Sequence, residues 1–103
     1  SIFDLNIVDG QHGKGVYCYV NGNNLIREYY SKNGETIYTF EISDNLVKDL
    51  SHLNLDYWEA KTLIYNNPQF KAFIFKHKAV GIPTSKEVLI IDSTIITNLK
   101  KES

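Results

Sequence analysis

The sequence predicts an α+β domain with a split, mostly antiparallel β-sheet and two to three short helices. Three observations lead there. Strand-period alternation sits towards both ends of the chain, helical spacing is concentrated in the middle, and the strict βαβ alternation of a doubly wound parallel sheet is missing. With 103 residues, 43% hydrophobic and 13% aromatic, the chain can bury one core but not two. One domain over residues 1–103, with one site or one interface, is the expectation.

The elements follow in order. Residues 1–8 alternate weakly through Ile2, Leu5 and Ile7, which fits a short edge strand or a helical turn. Residues 9–15 form a polar glycine-rich loop, in which glycine accepts positive φ and lets another group approach the backbone. Residues 16–20 are β-branched and aromatic and read as a strand with Val16, Cys18 and Val20 on one face and Tyr17 and Tyr19 on the other. Asn21 to Asn24 end that strand and cap a short helix on which Leu25, Ile26, Tyr29 and Tyr30 fall at helical spacing. Residues 35–42 alternate most cleanly and read as a strand. Ser43 and Asp44 open a helix with an apolar stripe of Leu46, Val47, Leu50 and Leu53, and Asp56 with Glu59 gives a capping box for the next helix, closed by Pro68. Residues 70–80 lean towards strand, since Phe73 and Phe75 alternate with Ile74. Residues 86–96 are β-rich with a break at Asp92 and Ser93.

Eleven basic and twelve acidic residues leave a net charge of −1, so no overall field draws the chain to nucleic acid or anionic lipid. The single cysteine excludes an internal disulfide framework and points to a reducing, cytoplasmic compartment. Cys18 reads as a small buried hydrophobe rather than a catalytic thiolate. Apolar runs fall far short of the roughly 20 residues that span a bilayer, and no membrane association is expected. His12, His52 and His77 are scattered, without metal-ligand spacing, and read as structural or surface residues. The chain starts at Ser1 and contains no methionine, which fits a piece of a longer polypeptide lacking an N-terminal strand.

Two patches carry chemistry when taken together. Gly13-Lys14-Gly15-Val16-Tyr17, followed by Tyr29 and Tyr30 and then by Ile37 to Ile42, resembles the middle of the ADP-ribosyltransferases of the diphtheria-toxin and poly(ADP-ribose)-polymerase type. Ser85-Lys86-Glu87-Val88-Leu89-Ile90-Ile91-Asp92 resembles the strand that bears their catalytic glutamate. The resemblance implies NAD as substrate, a nicotinamide ring sandwiched between Tyr17 and Tyr29 or Tyr30, and backbone approach to the dinucleotide at Gly13 and Gly15. It implies Glu87 as the carboxylate that stabilises the oxocarbenium-like transition state. The strands of Tyr17 and Glu87 would then be two walls of a cleft. The family's upstream histidine has no counterpart in residues 2–6, and His12, set against the turn, does not take over that role. Ser85 stands where the arginine-modifying branch carries a second glutamate, so arginine specificity gains no support.

Each residue also has a plainer reading. Alternating strand tyrosines commonly pack half-buried, and a glutamate opening a strand commonly guards an edge. Trp58, beside Tyr57, reads as core filling, with anchoring of a partner protein as its other use. The rival to the enzyme is therefore a non-enzymatic protein-binding module, such as a small bacterial immunity or antitoxin protein facing a toxin partner.

Overall fold

The computed structural model describes residues 7–19, 37–76 and 86–102. The expected helix bearing Tyr29 and Tyr30 lies outside the described residues. In chain order the strands are β1 (Val8–Gly10), β2 (Gly13–Tyr19), β3 (Ile37–Glu41), β4 (Val47–Asp49), β5 (Ala72–Lys76), β6 (Lys86–Ile90) and β7 (Thr97–Glu102), with one α-helix, α1 (Tyr57–Tyr65), between β4 and β5. The architecture is α+β and mostly sheet. Among the described residues there is one α-helix and two 3-10 turns, Asp44–Leu46 and Ser93–Ile95, fewer helices than expected.

Five strands form one sheet in the order β1-β2-β6-β5-β4, and β3 pairs with β7 in a separate two-stranded ribbon. All pairings are antiparallel except β4 with β5, so β4, α1 and β5 make a single βαβ unit inside an otherwise antiparallel sheet. The residues read as a glycine loop are a hairpin. Asp9 pairs with Lys14 and Gly10 with Gly13, leaving only Gln11 and His12 as the turn. Gly13, at φ +118, takes a conformation that an L side chain rarely adopts.

The helix expected from Ser43 does not form. Only Asp44–Leu46 makes a 3-10 turn, after which Val47–Asp49 is strand β4. Here tertiary pairing overrides the apolar stripe. Leu46 O accepts from the N–H of Lys71 at 2.9 Å, and Leu50 N–H donates to Ile74 O at 2.8 Å, so β5 supplies partners that a local helix would have supplied. The capping box at α1 is as expected: the Asp56 carboxylate accepts from Glu59 N–H at 2.8 Å, and Glu59 Oε1 accepts from Asp56 N–H at 3.1 Å.

The sheet has apolar side chains on both faces. On one, Val16, Ala72, Val88 and Ile90 meet Ile96, and Phe40, Ile42, Ile95 and Leu99 from the ribbon and its flanks pack over them. On the other, Phe73, Phe75 and Leu89 meet Ala60 and Leu50, with Tyr17, Leu63 and Ile64 against them, so α1 covers this face. Tyr57 anchors the start of α1 to the hairpin, its hydroxyl lying 3.0 and 3.1 Å from the two carboxylate oxygens of Asp9. Ala60 is fully buried whereas Trp58 is 72% exposed, so Trp58 is a surface residue and not part of the core. Residues 58 and 60 project from different sides of the helix, and only one side meets the sheet. Among the described residues no helix is long and apolar enough to cross a membrane.

Candidate functional site

Strand β6 runs through the middle of the sheet, and its register fixes the site. Glu87 is paired across to Tyr19 on β2 and to Phe75 on β5, and Leu89 lies between Tyr17 and Phe73 in the same way. Direct cross-strand partners share a face. Glu87, Tyr17, Tyr19, Phe73 and Phe75 therefore all belong to the face that α1 covers. Strands β2 and β6 are hydrogen-bonded neighbours, so they form one continuous floor rather than the two opposing walls expected.

Glu87 is 9% exposed, although a glutamate opening a strand is ordinarily solvated. Its Oε1 lies 3.4 Å from Nδ1 of His12, which is 3% exposed. The imidazole stacks on the Phe75 ring with centroids 4.1 Å apart and planes 5° from parallel. His12 is thus brought from the tip of the hairpin, over two strands, onto the one acidic side chain buried among the described residues. The sequence offers His12 as a structural or surface residue and gives it no part in the site. The available signal was its place in a two-residue turn directly before a glycine that can redirect the chain.

Tyr17 has a different part from the one expected. Its hydroxyl donates to Gly13 O and accepts from the His12 N–H at 3.2 Å, tying the phenol to the hairpin turn. Its ring lies against Gly10, where an added Cβ would come within 2.7 Å of Cζ. Burial raises the Tyr17 phenol above its ordinary 10.0, the His12 N–H opposes that, and the Glu87 and Asp9 charges add to it. The hydroxyl is accordingly a proton-bearing donor. Tyr19, which sequence reasoning passed over, is the β2 tyrosine registered directly across from Glu87.

The glycines serve the strands. An added Cβ at Gly15 would meet the Ile90 carbonyl oxygen at 2.4 Å and Leu89 Cδ1 at 2.7 Å, so β6 already occupies the close approach that was expected to serve a dinucleotide. Gly13 is buried and supplies the positive φ of the turn. Cys18 packs towards the ribbon side of the sheet, and burial, with the Glu87 charge adding, pushes its thiol up to about 12. A thiol so raised is protonated at neutral pH. Among the described residues no group of His, Cys, Asp and Glu side chains is disposed to hold a metal ion.

No family model, curated protein or solved structure matches this chain. A carboxylate on an aromatic face, with an imidazole beside it and a protonated phenol on the adjacent strand, can stabilise developing positive charge or exchange a proton.

Proposed function

We propose that the chain is an ADP-ribosyltransferase-like domain that binds NAD and transfers ADP-ribose to an acceptor, or to water. The observation carrying this reading is Glu87, a carboxylate 9% exposed and on the same face as the tyrosines of the neighbouring strand. In the reaction the bond between the nicotinamide nitrogen and ribose C1′ breaks, and its electron pair leaves with neutral nicotinamide. The acceptor oxygen or nitrogen then bonds to C1′ and gives up its proton. Positive charge peaks on C1′ and the ring oxygen between these events, where an ionised Glu87 would stabilise it. Exclusion of water from that face would strengthen the attraction. In this reading Tyr17 holds the hairpin, and the stacking role passes to Tyr19 together with Tyr29 or Tyr30.

The test is nicotinamide release from NAD, followed by Glu87→Gln. The carboxamide keeps the shape of the side chain but not its charge. Turnover should be abolished while NAD affinity stays nearly the same, because the lost interaction belongs to the transition state. Absence of NAD binding at millimolar concentration overturns the reading, and full activity in the variant removes Glu87 from it.

A second reading, a protein-binding module of the immunity or antitoxin kind, is favoured by the outer stripe of α1. Trp58 is 72% and Tyr65 84% exposed, and between them Lys61 holds its ammonium 5.6 Å from the Trp58 ring centre. Exposed Trp and Tyr side chains are the types that dominate binding energy at interfaces. A stoichiometric partner that binds the unmodified protein but not the Trp58→Ala/Tyr65→Ala variant would establish it. Unchanged binding to that variant would exclude this stripe.

A further inference from the structure

We propose that His12 is the positioning residue of Glu87, its Nδ1–H donating to Oε1 and fixing the carboxylate on the β2–β6 face. The proposal deepens the ADP-ribosyl-transfer reading and rests on it for its kinetic consequence, but the pairing itself is a property of the fold. Three constraints converge on the ring. Its plane is set by the stack on Phe75, 4.1 Å away and 5° from parallel, and Phe75 is itself the β5 partner of Glu87. Its backbone is set by the N–H bond to the Tyr17 hydroxyl, which in turn donates to Gly13 O. Its entry onto the sheet is set by the hairpin turn, which Gly13 closes at φ +118. A side chain in a two-residue turn normally faces solvent, yet this one is 3% exposed.

Packing alone does not account for such a pair. Burying a carboxylate and an imidazole desolvates both, and apolar side chains of similar volume commonly serve a core as well or better. The same face carries Phe73, Phe75 and Leu89, beside which an apolar pair would pack. What the pair adds is direction. The Nδ1–Oε1 separation of 3.4 Å is at the long end for a hydrogen bond, within the range of catalytic contacts in the absence of substrate.

Two measurements test the proposal. Long-range proton–nitrogen NMR of the unmodified protein and Glu87→Gln requires no turnover. The expected result is a proton on Nδ1 of His12 whose resonance moves when Glu87 loses its charge; an unprotonated Nδ1, or one indifferent to the substitution, overturns the proposal. Kinetics then compare His12→Asn, whose amide can donate from near the Nδ1 position, with His12→Phe, which keeps a ring on Phe75 but has no donor. His12→Phe should lose kcat by on the order of 10–100-fold at unchanged KM for NAD, with His12→Asn recovering most of it. Equal loss in both variants, or a loss confined to KM, contradicts it. Should His12→Phe fail to fold, the NMR result decides alone. Should the unmodified protein release no nicotinamide, the ADP-ribosyl reading fails, and the NMR result still decides the pairing.

Discussion

Gly15→Ala separates a glycine kept for a ligand from a glycine kept for the sheet. The added Cβ would sit 2.4 Å from the Ile90 carbonyl oxygen and 2.7 Å from Leu89 Cδ1, whereas ordinary contacts begin near 3.4 Å. Leu89 can turn away, but Ile90 belongs to the central strand, which is paired on both sides, so β2 and β6 must part by about 1 Å. Overpacking of this kind costs about 1–3 kcal/mol. Alanine also restricts the unfolded chain, which returns about 0.4–1 kcal/mol. The steric term is the larger, leaving a net loss of about 1–2 kcal/mol. For a domain of this size that is a fall in Tm of roughly 4–16 °C. Urea melts at constant m-value would measure it. A Gly15→Ala protein as stable as the parent refutes the reasoning, and one of normal stability that has lost NAD binding restores the ligand role.

Two further outcomes follow from local chemistry. Asp56→Ala removes the side-chain half of the capping box, the bond accepted from Glu59 N–H, and should cost about 1 kcal/mol, read as a lower urea midpoint; an unchanged midpoint would show that the remaining contacts hold the helix start. Cys18 titrates in the fold at about 12 against its ordinary 9.0, and Tyr17 is raised above 10.0. Both raised groups favour their protonated forms in the native state. Their stabilisation is complete below pH 9 and is lost as pH climbs from there towards 12. Urea midpoints measured from pH 8 to 11 should fall, and fall less steeply in Cys18→Ala; parallel curves would mean that the thiol is not buried as described.

Much of the fold could be read locally. A strand at Ile37–Glu41, the Asp56 capping box, the aromatic strand around Phe73 and the break at Asp92 all fall where the sequence placed them, because each leaves a signal within a few residues. The Leu46–Leu53 stripe misled. Its residues obey helical spacing, but β5 offered Val47–Asp49 a parallel partner, and a pairing distant in sequence leaves no local mark. Trp58 misled for a related reason, since a nine-residue helix does not announce which side will meet the sheet.

The candidate site divides the same way. By itself the sequence determined the cast: a carboxylate opening a strand, a tyrosine strand, and glycines that permit a tight turn. Tertiary structure decided who meets whom. Antiparallel register set Glu87 between Tyr19 and Phe75, hairpin closure carried His12 onto Phe75 and within 3.4 Å of Glu87, and close packing of β6 against Gly15 took up the space reserved for a dinucleotide. The physical reason is sequence separation. His12 and Glu87 are 75 positions apart, and only the pairing of β2, β6 and β5 brings them together.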